Sequence, residues 1–450
     1  MRILHFYLGP YRRGGLNLYV NSLAIAQQEA GHKAGFLYPY GCSLSGKTRI
    51  RRMQNWNGVT SYAILNAPPV PLFAGIREPE WFLDNRFDLP DLECEKLLSI
   101  FQPEILHIHT WMGFPRRLLK YCREHDVKTV FTTHDYFGLC PKVNFINSQE
   151  SYCPAPSAAQ CAVCNADAPS RYYLLLRNSP ILLRMSTPFF LLKHLLFRFK
   201  RKPVKRIQRG TPMTVPTVPE AVQEKFRLLL EMYRELFQYI DCIHFNSSLT
   251  ETVYSSFLPH IRGERLSITH SGIHDNRRKR SFQNSIRIGF IGSTAPYKGF
   301  PILKQILEEL EQETKHNWTL EVWGSTGKNC GKIHFHGTFQ PKEAEQVYGS
   351  IDLLVLPAQC KETFSFVILE ALSFGVPTLI TSNVGARDIV MKYAPDFICS
   401  GYMELKQKLK TILTAPSCLQ NFNSEICRQE WKHSISEHQE KIMEIYQKVL

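Results

Sequence analysis

The chain has 450 residues, more than one ordinary core accommodates, so two domains are the expectation. Hydrophobic residues make up 44% and charged residues 21%, a balance that excludes a disordered chain. The formal net charge of +14, from 54 Lys+Arg against 40 Asp+Glu, favours an anionic partner such as a phosphate-bearing substrate, an acidic membrane or nucleic acid.

In chain order, RILHFYL (2–8) reads as a short apolar strand. After Gly14-Gly15 a helix follows, with Leu16, Val20, Leu23 and Ala24 at helical spacing and Gly31 as its stop. EILHIH (104–109) and KTVFTTH (128–134) repeat the pattern around an amphipathic helix. Continuous apolar strands separated by helices imply a parallel sheet covered on both faces. The same grammar restarts at IRIGFIG (286–292) and continues through TLEVWG (319–324), KIHFHG (332–337), IDLLVLP (351–357) and PTLIT (377–381). Two successive Rossmann-like α/β domains are therefore expected, over 1–275 and 276–430. Their junction lies near HSGIHDNRRKRSFQNS, and a last helix over 431–450 is expected to pack back on the first domain.

Between the two lies a different composition, expected as an insertion over about 150–240. Residues 171–209 set Arg and Lys among Leu, Phe and Tyr, and no acidic residue occurs from Ala168 through Pro219. An apolar helix edged only by cations suits an anionic membrane surface; the plainer reading is a helix packed on its own domain with its cations in water. No run of about 18 uncharged apolar residues is present, so no helix is expected to span a bilayer. The opening MRILHFYLGPYRRGG is too short for a signal-peptide core, and 13 cysteines without such a leader read as reduced thiols. A cytoplasmic protein, peripheral on the inner face of the plasma membrane, is the expectation.

Ligands of doubly wound sheets sit beyond the carboxyl ends of the strands. Gly14-Gly15 stands there and opens a helix, where free N–H groups and the dipole favour an anion; a glycine pair is also often only a turn. No G-x-G-x-x-G follows a strand, which counts against a nicotinamide or flavin enzyme. His134-Asp135 ends a strand, and a histidine there can bond a substrate oxygen or act as acid or base. His107 and His109 read as satisfied structural histidines, lining residues at most. Lys298-Gly299 in FIGSTAPYKGF suits a diphosphate, although most lysines simply face water.

The stretch CKETFSFVILEALSFGVPTLI poses the sharpest question, because Glu370 interrupts an apolar helix and buried carboxylates are rare without a partner. A carboxylate accepts two hydrogen bonds from vicinal hydroxyls, as in the holding of a ribose. Glu362 precedes the helix, and the amides of Thr363, Phe364 and Ser365 are placed to meet phosphate or sugar. A further cluster, Cys140, Cys153, Cys161 and Cys164, ends in a C-x2-C; four thiolates can close a structural zinc site, or remain reduced thiols in a loop.

With Glu362 and Glu370 as an E-x7-E motif, and with RRGGLNLYVNSLAIAQQEAGH, HDYFGLCP, HSGIHD and YKGFPIL in order, the chain resembles the retaining glycosyltransferases of family 4, of the bacterial surface-polysaccharide type, with the two-domain GT-B fold. The resemblance covers most of the chain and is weakest over about 150–240. It implies that Glu370 binds ribose hydroxyls, Lys298 the diphosphate, Glu362 and His134 the sugar, and that Gly14 and Gly15 approach donor phosphate and sugar. It implies a UDP- or GDP-linked donor and a saccharide or lipid-linked acceptor at the inner membrane surface, with no metal required for chemistry. No Asp-x-Asp, the cation-holding motif of metal-using transferases, occurs in the chain. Two departures stand out: Ser293 replaces the family's usual arginine, and Asp388 a usual glutamate. Similar cysteines occur in some polysaccharide transferases with a like HD…CP segment. The competing readings are a non-catalytic membrane or nucleic-acid binding module on the same scaffold, for which the glutamates would be dispensable, and a sugar-nucleotide epimerase, which would consume donor without an acceptor. Nucleic acid is not the expected partner.

Overall fold

The computed structural model describes residues 1–41, 46–179, 218–282, 285–313 and 317–450. Two sheets carry the architecture. The first has eight strands: β1 (Arg2–Phe6), β2 (Lys33–Pro39), β3 (Arg49–Trp56), β4 (Val59–Leu65), β5 (Ile105–Ile108), β6 (Lys128–Thr132), β7 (Cys242–Phe245) and β8 (Gly263–Arg265). Their spatial order is β3-β4-β2-β1-β5-β6-β7-β8. All neighbours are parallel except β3 and β4. These two form a hairpin turned at Asn57-Gly58, where both residues have positive φ, the conformation a tight hairpin needs. β3 is the edge, and its exposed Arg49, Arg51 and Arg52 discourage pairing with another chain.

The second sheet has six parallel strands in the order β11-β10-β9-β12-β13-β14. They are β9 (Ser285–Ile291), β10 (Asn317–Trp323), β11 (Ile333–Gly337), β12 (Leu353–Leu356), β13 (Thr378–Thr381) and β14 (Ile398–Cys399). β12 and β13 are buried along their whole length, the mark of strands covered by helices on both faces.

Four helices position the site. α1 (Gly15–Glu29) follows β1, and α2 (Ser248–Phe257) follows β7, capped by Ser247 and Thr250 in a reciprocal box. α3 (Phe366–Ser373) belongs to the second sheet's domain. α4 (Ile435–Val449) returns to α1, where His438 Nε2 meets the Tyr19 hydroxyl at 2.9 Å. Of the basic-apolar segment, only its first turns fall within the described residues: a helix over Arg171–Arg177 with Tyr172 and Leu176 exposed; the rest, through residue 209, lies outside them. No helix among the described residues is long and apolar enough to cross a membrane.

Candidate active site

His134 lies just after β6 and Gly14 caps α1, while Lys298 ends a short turn after β9 and Glu370 lies within α3. Gly14 caps α1 with φ 127°, a conformation that favours glycine, and a side chain there would meet nothing within 4 Å. A Cβ on Gly15 would lie 3.2 Å from the Phe366 ring, so the start of α1 faces the start of α3.

The loop before α3 is strained and unsatisfied. Ser365, which precedes the helix, has φ 92° without being glycine, a conformation costing about 1–3 kcal/mol unless the surroundings enforce it. Among the described residues the amides of Thr363, Phe364 and Ser365 donate to no protein acceptor. Three free N–H groups before a helix N-terminus form an anion cradle. The loop is tied to the other domain twice. Thr363 Oγ1 donates to the His134 carbonyl at 2.9 Å, and Ser247 Oγ donates to the Thr363 carbonyl at 2.7 Å. Asp388 adds a third tie by accepting from the Ser248 amide at 2.6 Å and its hydroxyl at 2.5 Å.

Lys298 ends a short turn after β9 and is paired with Glu362, whose side chain is 8% exposed. Burial pulls the ammonium down, but Glu362 more than offsets it and holds the pKa at about 12. Lys298 is therefore a fixed cation, with two of its three N–H donors left beyond the carboxylate bond. Gly299 follows because any Cβ would collide with the Pro357 carbonyl at 1.9 Å. Ser293 accepts from the Ala295 amide at 3.3 Å and shapes this turn, so no cation stands at that position.

Glu370 is not idle in the absence of ligand. Its Oε2 accepts from the Tyr348 hydroxyl at 2.5 Å and its Oε1 from His270 Nε2 at 3.2 Å. Because the Gly272 amide donates to His270 Nδ1, the neutral ring must carry its proton on Nε2, facing Glu370. The carboxylate keeps lone pairs in reserve and its side chain remains 21% exposed, enough to accept from two hydroxyls. His270 and Tyr348 escape sequence reasoning as site residues, although His270 lies in the HSGIHD segment.

His134 closes the other side. Its Nε2 meets His109 Nδ1 at 3.2 Å and its ring lies 4.9 Å from Tyr19. Burial, reinforced by His244, drops its pKa to about 3, so the imidazole is neutral. Next to it, burial pushes the Asp135 carboxyl up to about 7, with Oδ2 buried and unpartnered. Behind His134 lies a cluster no single motif announces: His5, His107, His109 and His244, all fully buried. Nitrogens of His5, His107 and His109 lie within 4.8 Å of one another, close enough to share a metal ion. Yet each of their six nitrogens already has a protein hydrogen-bond partner, so the cluster is a closed network rather than a vacant ligand set. Cys140, Cys153, Cys161 and Cys164 are free thiols, two of them buried; among the described residues they are not gathered to that spacing. Burial raises Cys140 to about 11 and Cys161 further.

Comparison with known proteins fits this geometry. Residues 13–168 match the family model for Glycosyltransferase Family 4, and residues 273–426 the model for Glycosyl transferases group 1. The chain is a glycosyltransferase of GT-B type. Among solved structures, the transferase is similar to sucrose-phosphate synthase from Thermosynechococcus elongatus, with TM-score 0.57 and 12% identity over 99% of this chain and 98% of that one. It is also similar to Anabaena Alr3699/HepE in complex with UDP and glucose, with TM-score 0.55 and 12% identity over 99% of both chains. For WaaG, described as involved in lipopolysaccharide biosynthesis, the TM-score is 0.52 and the identity 13% over 99% of both chains. At these identities the likeness speaks for the fold. No curated protein sequence matches the chain significantly.

Proposed function

We propose that this transferase moves a sugar, with retention and without a catalytic metal, from a UDP- or GDP-sugar to a membrane-associated acceptor of the lipid-linked oligosaccharide or surface-polysaccharide type. The observation that carries the reading is the convergence around one loop. Lys298 and the three unpartnered amides at 363–365 offer positive charge and donors to a diphosphate, while Glu370 offers acceptors to a ribose. Glu362 and His134 flank the space where the sugar would sit, and the Thr363–His134 bond keeps the two domains in register around it. Departure of the diphosphate builds charge on its terminal oxygens. A fixed ammonium and fixed amides stabilise that charge without reorganising, which lowers the barrier. Front-face retention needs a base beside the leaving group, and the departing phosphate itself is the base available there.

Structural neighbours crystallised with UDP support a nucleotide donor, and the lipopolysaccharide role named for WaaG supports the acceptor class. Exposed Tyr172 and Leu176, at the start of a long segment whose sequence has cations and no carboxylates, support approach to an anionic bilayer. Calorimetric titration with UDP, GDP and ADP, on the wild type and Glu370→Ala, tests the donor side. Selective binding of one nucleotide, lost in the variant, is expected; equal binding by both proteins would overturn the ribose assignment. Co-sedimentation with vesicles containing anionic lipid tests the acceptor side, and indifference to lipid charge would remove the membrane from the proposal.

A further inference from the structure

The histidines beneath His134 are aligned by strand register. His5 on β1 sits opposite His107 on β5, and Thr132 on β6 opposite His244 on β7, so like-facing side chains meet across parallel strands. All are desolvated: burial holds His5 and His244 at about 4 and keeps His107 and His109 well below the ordinary imidazole value. A neutral imidazole has one donor and one acceptor, so the protons of such a cluster can be counted.

The count starts at the Leu266 carbonyl, which can only accept: His244 Nε2 donates to it at 2.7 Å. His244 Nδ1 then accepts from Thr132 Oγ1 at 2.9 Å. With its proton so directed, Thr132 Oγ1 accepts from His107 Nε2 at 2.6 Å. His107 Nδ1 accepts from the Tyr446 hydroxyl at 2.6 Å, and the tyrosine oxygen accepts from Gln27 Nε2 at 3.4 Å. That fixes the amide, whose Oε1 accepts from His5 Nε2 at 2.8 Å. His5 Nδ1 accepts from His109 Nε2 at 3.1 Å, and His109 Nδ1 from His134 Nε2 at 3.2 Å. Reversing any link sets two lone pairs against each other somewhere along the chain, at the Gln27–Tyr446 contact or at the latest at the Leu266 carbonyl. His134 therefore ends the chain with Nδ1 bare, and that nitrogen has no protein partner among the described residues.

We propose that this buried chain locks His134 in the Nε2–H tautomer, making its free Nδ1 an obligate acceptor for a hydroxyl of the donor sugar, with His109, His5 and Gln27 as positioning residues. The inference rests on the sugar-facing role proposed for His134. Its consequence is directional: the site selects a hydroxyl that donates and disfavours a donor sugar deoxygenated at that position. In a neutral histidine the free nitrogen's role follows from the hydrogen bond its other nitrogen makes.

The test is two-bond 1H–15N correlation of the imidazoles in ligand-free protein at pH 7.5, which reads each tautomer without any substrate. The wild type is expected to show His134 protonated on Nε2 alone. His109→Gln preserves the polarity, because its amide can donate to His5 Nδ1 and its oxygen accept from His134. His109→Leu cuts the chain. The Gln variant is expected to keep the His134 tautomer, and the Leu variant to show a mixture. With the lock lost, kcat/KM for the nucleotide sugar falls about three- to tenfold, and the Gln variant restores it. Should His109→Leu not fold, Gln27→Leu breaks the chain between Tyr446 and His5 and is read the same way. A wild-type His134 protonated on Nδ1, or an unchanged tautomer in the cut chain, overturns the proposal. Failure of the functional reading looks different: the tautomers are as stated, but no UDP- or GDP-sugar binds.

Discussion

Lowering the pH from 7.5 to 5.5 should strongly destabilise the first domain, and the size of the effect follows from six buried imidazoles. Desolvation holds His5, His134 and His244 at about 4, 3 and 4, and His107, His109 and His438 well below their ordinary 6.5. A depressed folded pKa gives stability that is complete above the unfolded value and lost as pH falls below it, because only the unfolded chain then takes up protons. At pH 5.5, about one unit below the unfolded value, each such group forfeits somewhat over ~1 kcal/mol, and six forfeit roughly 8 kcal/mol. One group opposes them. Asp135, raised by burial from 3.8 to about 7, is relieved of a charged form it cannot solvate, returning about 2 kcal/mol over the same interval. The net loss of about 6 kcal/mol rivals the 5–15 kcal/mol by which domains are stable at all. Urea unfolding followed at pH 7.5, 6.5 and 5.5 would measure it, with near-ultraviolet dichroism to catch loss of the packing around Trp111. The midpoint should fall steeply below pH 6.5, at unchanged denaturant slope. A first domain equally stable to within about 1 kcal/mol at both ends of the range would refute the burial argument, since no arrangement of neutral histidines escapes the linkage.

Other outcomes follow from single contacts. Asp135→Asn removes the one group that resists acid, so its advantage over wild type should widen by about 2 kcal/mol from pH 5.5 to 7.5 in the same unfolding series. Lys298→Met should weaken nucleotide diphosphate binding about tenfold or more by calorimetry, and also lower the melting temperature because Glu362 is left buried and alone. Adding Glu362→Gln should restore the melting temperature without restoring affinity; recovery of both would mean the lysine never touches phosphate. Gly299→Ala forces a methyl onto the Pro357 carbonyl and should cost about 1–3 kcal/mol or more in denaturant; Gly14→Ala meets no neighbour but strains a backbone at φ 127° and should cost about 1–3 kcal/mol as well as weaken donor binding. Asp388→Ala removes both bonds to Ser248 at the start of α2 and should raise amide exchange there while sparing the core of the second sheet.

What could be read from the sequence, and what could not, divides along a physical line. Strands β1, β5, β6, β9, β12 and β13 are legible because near-complete burial demands largely apolar runs. β3 and β4 are not, since an edge hairpin shows water its arginines; the Asn57-Gly58 pair is the signal that would have found it. Glu362 and Glu370 announce themselves as carboxylates at the borders of an apolar segment. Their partners do not: His270 lies 100 residues from Glu370 in the chain, and only the fold joins them. The histidines are the hardest case. His107 and His109 read as satisfied structural histidines, and only strand register joins His107 to His5 and brings His244 into the same chain. Burial explains both halves of their behaviour. Desolvation keeps every ring neutral, hence with one donor and one acceptor, and so gives the chain a single polarity that ends at His134. The same desolvation makes the unfolded state the better proton acceptor and leaves the domain open to acid. An apolar replacement of His5 touches both properties: it should harden the domain against acid by about 1 kcal/mol at pH 5.5, and by cutting the chain should free the His134 tautomer, whereas His109→Gln should harden the domain and keep the tautomer.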